Sequence, residues 1–586
     1  MITLSDFQEH LASTEPLQPA SSHSTNGQEQ HLRKWVALLP SQTEAQQAEQ
    51  LEKVLTELRV ADVDDQQRFK LIRIVLDAAD RLIAALRQSY VHETGALSDA
   101  QLDCVAQVKS LYYLVILVCD GVIRREISLL DNQKTPASSG WQRRFTGEKS
   151  APMTLAIVIY QTMLTYQKLL MEEAICYQKP PSYVWAALNR LYYLACQRHA
   201  AKLDLSAYVV TNRADSIHRL YCQICLHSLL NVRGLRRSNI LLVHRLLPEW
   251  AEPIVATIEP QTETRVFVNL HSENPPTYLT AHSSINPYES QYDCLFIELA
   301  SVIEHLKSRQ QALINEGSEG VECCLLNKIA MAITYRYMQP QLTVPNKYSA
   351  KQDATMVIGF NDIHYHASHA QGLISLIGTK ELPDGERPRY DTVPKKPVDS
   401  NLSIVETFDS KNILSPFRTL QLMVNPVDVD VDVDVDVDVD VDVDVDVDVD
   451  VDVRPPITTP PPLQIMSLSL LCRSETTTAD WSIGVVRWLN LDTHNPEVEW
   501  QVLGHKLITC GLRLEDRKSR SQHFVPAFIV AGDDQLQTTC SLIVPTFHFQ
   551  TNDRVIMRLH NKQKLLRLLH PLLVTDEFSQ YEVVQL

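Results

Sequence analysis

From Val427 to Val453 the chain alternates Val and Asp without a break. A strict period of two puts every Val on one face of a strand and every Asp on the other. Length argues against one strand. At about 3.3 Å per residue the 27 residues would span roughly 90 Å, several times an ordinary strand. Asp is a poor strand former, and carboxylates about 7 Å apart along one face repel each other. The tract is therefore expected to be a solvated, disordered acidic segment. Calcium sites need carboxylates converging from a turn, usually with Gly, and the tract has no Gly. The chain must fold on either side of it, and the two sides differ: helical periodicity before, short strands after.

The tract also accounts for most of the net charge. It carries 13 Asp, and removing them from the total of −17 leaves −4, so the acidity says nothing about partners. No basic face argues for a nucleic-acid polymer as ligand. Gly numbers only 16, and neither a Walker loop nor a dinucleotide fingerprint is present. A Gly-x-Ser-x-Gly elbow and a His-Glu-x-x-His helix are equally absent, so no enzyme activity is expected and no cofactor is implied. The 12 Cys lie scattered in apolar segments, which fits free thiols in a reducing cytoplasm. Met1 to Ser13 lacks a basic start and an apolar core, so no signal peptide is expected. The longest apolar run, Leu111–Cys119, is far shorter than the ~20 residues that span a bilayer, and no membrane span is expected.

Helical periodicity predicts helices over about 43–60, 64–89, 98–132, 152–178, 182–202 and 213–232, with Asp64 and Ser98 as caps. A strand is expected at 264–270, helices at 294–313 and 321–338, a strand at 354–360 and a short helix from Asn361. Residues 378–400 read as a loop. His218, Cys222 and Cys225 share one helix face, a zinc-type ligand set without a visible fourth ligand, so buried small side chains are the simpler reading. His364, His366 and His369 could grip a metal, but no carboxylate is placed to complete the site. They read as surface or partly packed histidines.

After the Pro-rich stretch Arg454–Pro462, strands are expected at about 464–472, 481–489, 498–514, 524–531, 538–545, 553–559 and 580–585, with a turn at Asn561–Lys564. Lys564–His570 could instead be a short helix. Regular short strands indicate an antiparallel barrel or sandwich. Trp481 and Trp488, seven apart, should lie on opposite faces of their strand.

The block Trp481-Ser-Ile-Gly-Val-Val-Arg-Trp-Leu489, with Gly511-Leu-Arg-Leu514 after it, resembles strands of a PilZ domain, most closely a long bacterial subgroup with a helical N-terminal region and extra C-terminal strands. Met356–Phe360 and the short helix after it match that subgroup's first barrel strand. The resemblance covers 345–360 and 415–586. It implies a receptor for cyclic di-GMP, held through an Arg-x-x-x-Arg before the first strand and an Asp/Asn-x-Ser-x-x-Gly in the next. Arg suits a guanine and a phosphate because its planar fork pairs bidentately and stacks, and small Ser and Gly let the backbone approach. This chain departs at both places. Lys347-Tyr-Ser-Ala-Lys351 keeps the spacing with Lys for Arg, and the second motif should begin near Asn425, where the chain runs into the repeat. The resemblance assigns the ligand to Lys347, Lys351 and Asn425.

The expected organisation is an α+β multidomain protein, a helical N-terminal region followed by a C-terminal antiparallel β-barrel of PilZ type. Its parts are a polar leader (1–30), a mostly helical region (31–340), the start of a split barrel with a linker (341–425), the disordered repeat and Pro-rich linker (426–462), and a barrel with extra strands (463–586). The function expected is a cyclic di-GMP receptor that signals by repositioning its helical region. The competing reading is a protein-interaction scaffold that has lost the ligand. A protein partner is expected in both.

Overall fold

A computed structural model describes residues 1–12, 26–61, 63–132, 151–178, 180–208, 214–259, 264–279, 285–289, 291–317, 320–338, 349–394, 401–409, 417–423, 463–473, 480–490, 497–515, 523–532, 538–546 and 548–586. The Val-Asp tract, Lys347 and Asn425 lie outside the described residues.

The first half is helical: α1 (Leu4–Ala12), α2 (Asn26–Leu38), α3 (Glu44–Val60), α4 (Asp65–Gln88), α5 (Asp99–Asn132), α6 (Ala151–Ile175), α7 (Ser182–Gln197), α8 (Ile217–Leu229) and α9 (Arg237–Trp250). Caps set several of these ends. Thr43 and Gln46 form a reciprocal capping box on α3, and the Asp64 carboxylate accepts from Gln67 N–H to start α4. Arg68 closes the preceding helix by donating to the carbonyls of Leu58, Arg59, Ala61 and Val63, groups that would otherwise be orphaned at a helix C-terminus. Helix α5 is long and apolar enough by composition to cross a membrane. Here two-thirds of its apolar window is buried, and Lys109 on it pairs with Glu173 of α6 at 2.9 Å.

A small antiparallel sheet follows, with order β1 (Val255–Thr257), β4 (Cys294–Glu298), β2 (Val266–Asn269), β3 (Thr277–Tyr278). Helix α10 (Ala300–Asn315) begins only after β4, which corrects the expected helix at 294–313. Strand β4 is buried between β1 and β2, so Cys294–Ile297 are all apolar, and an apolar run of that length has no periodicity to distinguish strand from helix.

Helix α11 (Val321–Met338) precedes two closed antiparallel barrels. The first closes in the order β10 (Glu497–Gly504), β7 (Phe417–Leu422), β6 (Asn401–Asp409), β5 (Ser349–Ile358), β8 (Leu468–Arg473), β9 (Asp480–Asn490), with α12 (Phe360–Ala367) and α13 (Leu373–Ile377) inserted after β5. The second closes as β11 (Leu507–Leu514), β12 (Val525–Val530), β13 (Ser541–Pro545), β16 (Phe578–Gln585), β15 (Lys562–Val574), β14 (Arg554–Leu559). The strands beyond the first barrel are thus a barrel of their own. The single strand expected over 498–514 breaks at His505-Lys506, and its halves belong to different barrels. Lys562–Val574 is a strand and not a helix, and its turn sits at His560-Asn561.

Buried polar contacts fasten the parts together. Gly234 O accepts from Ile465 N–H at 3.1 Å, and a Cβ at Gly234 would run into the Ile465 side chain. Asn231 Nδ2 donates to Leu489 O, and Lys328 of α11 pairs with Asp576 at 2.8 Å. Helix α11 therefore grips the second barrel, while Met331 on it packs at Arg487 of the first.

Candidate ligand-binding site

Strands β5 and β6 pair in the register Lys351↔Thr407, Asp353↔Val405, Thr355↔Ser403, Val357↔Asn401. On its other edge Thr355 pairs with Cys472, which pairs with Trp481. Paired residues share a face of the sheet. Lys351, Asp353, Thr355, Ser403, Cys472 and Trp481 therefore stand on one side, while Ala354, Met356, Leu471 and Ser482 from alternate positions fill the barrel. Lys351, Asp353 and Ser403 are exposed; Thr355, Cys472 and Trp481 are half-buried.

His369, just past α12, walls this face, its ring 5.9 Å from Trp481 at an interplanar angle of 37°. The Trp481 indole N–H is buried and has no hydrogen-bond partner. Trp488 lies on the same outer face, contrary to the expectation from its spacing. A β-bulge at Arg487, where Val486 and Trp488 oppose the adjacent residues Trp500 and Glu499, adds one residue and reverses the alternation. Trp488 thereby joins the row Lys351–Thr407–Thr419–Glu499 around the barrel.

The inside of the barrel is polar at one level. Arg473 donates to both oxygens of Glu406, at 2.8 and 3.1 Å, and to Ser482 Oγ at 2.9 Å. Arg418 adds a third contact to Glu406 at 3.1 Å. Burial pulls the Arg418 pKa down, with Glu406 opposing and Arg473 reinforcing that shift.

Of the three residues assigned from sequence, Lys351 is placed, exposed at the start of β5. Lys347 and Asn425 lie outside the described residues. The sequence reading missed another candidate. The strand following β5 in the chain, and paired with it, begins Asn401-Leu-Ser403-Ile-Val-Glu406, which has the spacing Asn-x-Ser-x-x with Glu in place of Gly. The signal was present in the sequence but hidden by an insertion of two helices. Met423 N–H, two residues before Asn425, donates to Ser403 O at 2.9 Å, so the end of β7 reaches the same place.

His218 Nδ1 lies 2.8 Å from Tyr192 OH, and Cys222 and Cys225 are buried. Among the described residues no three or more metal-ligating side chains gather. His364 is fully buried, a departure from the surface or partly packed reading. It bridges the two barrel regions, with Nε2 3.2 Å from Cys510 O and Nδ1 3.3 Å from Thr392 Oγ1. Desolvation lowers its pKa to about 4, against 6.5 unfolded. Neutral His364 is compatible with the fold above pH 6.5, and this compatibility is lost as pH falls towards 4. Between pH 7.5 and 4.5 the stability of the wild type relative to His364→Gln is expected to fall by about 2–3 kcal/mol. Urea unfolding of both proteins at the two pH values checks this, and a constant difference would contradict it.

The fold defines an α+β multidomain protein in which a helical region is followed by two antiparallel barrels, the first with Lys351, Asp353 and Ser403 exposed on one outer face. Residues 30–261 match the family described as the N-terminal domain of the cyclic-di-GMP receptor FimW, and residues 510–586 match the FimW C-terminal beta-barrel domain. The chain belongs to the family that these domains define. It is 20% identical over 582 residues to the cyclic-di-GMP receptor FimW of Pseudomonas aeruginosa, an alignment covering 94% of this chain and 89% of the relative. The second barrel is thus the unit that the C-terminal family describes. No solved structure matches the chain.

Proposed function

We propose that this protein is a receptor for cyclic di-GMP, acting without catalysis in the cytoplasm. The observation that carries the reading is the near end-to-end similarity to a cyclic-di-GMP receptor, with no large part of either chain left over. The first barrel supports it as a PilZ-type barrel. Lys347 and Lys351 are assigned to the ligand phosphates. Asn401, Ser403 and Asn425 are assigned to the base and backbone side of the site. All twelve cysteines are free thiols, in keeping with a reducing compartment.

The mechanism is a repositioning of the helical region. Helix α11 ends at Met338, nine residues before Lys347, and it holds both barrels through Met331 and Lys328. A ligand drawing in the segment between α11 and β5 would favour one setting of that helix over another. A protein partner would read the change.

Calorimetric titration of cyclic di-GMP into the full chain at two salt concentrations is expected to give saturable binding that weakens at the higher salt, since lysines meet phosphate as point charges. Lys347→Ala/Lys351→Ala should lose it. No heat up to about a millimolar ligand would remove the receptor reading in favour of a scaffold. Glu406 favours that second reading, because a clamped carboxylate stands where the resemblance has Gly.

A further inference from the structure

The outer face of the first barrel holds residues that the phosphate-binding assignment leaves unused. Trp481 is half-buried on β9, lies in one row with Ser403, Thr355 and Cys472, and has a histidine ring against it. Asp353 is exposed two residues from Thr355 and two from Lys351, on the same face. From Lys351 to the Trp481 row is about 13 Å along β5, and Trp481 lies about 10 Å across two strands. With a lysine side chain reaching inward, that span suits a ligand about the size of a dinucleotide. A carboxylate beside a lysine works against binding a bare phosphate, so Asp353 calls for a ligand that also carries hydrogen-bond donors. Guanine provides them: its N1–H and N2–H2 form a paired donor edge that one carboxylate can accept, and its flat face stacks on aromatic rings.

We propose that this face is a guanine-binding shelf, in which Trp481, backed by His369, stacks one base of the ligand and Asp353 accepts from that base's N1–H and N2–H2. The proposal rests on the cyclic di-GMP reading and adds base recognition to it. The simpler alternative is that Trp481 only packs α12 onto the barrel and that Asp353 is solvated. The two make opposite statements about Asp353. As a bystander anion it repels a ligand with two phosphates, so Asp353→Asn would tighten binding. As a base acceptor its loss weakens binding.

The experiment is calorimetry of cyclic di-GMP with the full-length wild type, Trp481→Leu, Trp481→Phe and Asp353→Asn, each first shown to melt like the wild type. The shelf predicts binding weaker by about 5- to 100-fold in Trp481→Leu, since a stacked base is worth that much, with most of it kept in Trp481→Phe. It predicts a loss of about tenfold or more in Asp353→Asn. Wild-type binding with Trp481→Leu unchanged and Asp353→Asn equal or tighter would overturn the shelf and leave the receptor standing. Absence of wild-type binding would overturn both. If Trp481→Leu fails to fold, Asp353→Asn, an exposed position, decides alone.

Discussion

Glu172→Ala is expected to destabilise the helical region by about 3–5 kcal/mol, the range for stripping a partner from a buried charge. Glu172 is fully buried on α6 and receives Arg87 Nη2 at 2.7 Å, Arg87 Nε at 3.2 Å, and the hydroxyl of Tyr90. Arg87 also reaches Tyr112 OH at 3.2 Å, so the cluster ties α4, α5 and the turn after α4 to α6. Burial opposes the Arg87 charge, but Glu172 together with the Tyr112 and Tyr90 hydroxyls outweighs it and leaves the pKa raised. Without Glu172 the guanidinium would stay buried and uncompensated. A paired replacement, Arg87→Met with Glu172→Leu, removes both charges and should cost far less. Urea unfolding followed by helix signal compares the two. If the double replacement proves as damaging as Glu172→Ala, the cost is packing and not charge.

Gly484→Ala should damage the first barrel by about 3 kcal/mol, the upper part of the range for overpacking a well-filled core. A Cβ at Gly484 would strike the carbonyl oxygen of Gln501 and the indole of Trp500. Neither can give way. The carbonyl belongs to strand β10, and Trp500 is fully buried with its N–H bonded to Ser469 Oγ at 2.8 Å. Hydrogen exchange should show loss of protection over β9 and β10 with the second barrel's strands still protected. Wild-type protection in β9 would mean that the barrel absorbs the added methyl group without loss.

The position of Gly484 also shows how much of this fold could be read in advance. Trp481–Leu489 reads as a barrel strand from its residues. The six helical segments between 43 and 232 follow from apolar spacing and caps such as Asp64, because local pattern and tertiary packing agree there. Buried strands were harder: Cys294–Ile297 is apolar throughout, and a uniform run has no period. The strand Asn401–Asp409 is hard to place from sequence because its partner β5 lies across an insertion of two helices, which also hides its motif-like Asn401 and Ser403.

By itself the sequence determined the helical first half, the β-rich second half, and the tract that falls between two of that half's strands. Those depend on periodicity, composition and spacing within a short window. Only the tertiary structure decided that there are two barrels, that a break at His505-Lys506 divides them, and that a bulge at Arg487 puts Trp488 on the same outer face as Trp481. It also brought Lys351, Ser403 and Trp481 onto one face. Strand partners and bulges are set by which distant residues can share a ladder and fill a core, and a chain carries no local signal for a contact made more than a hundred residues away.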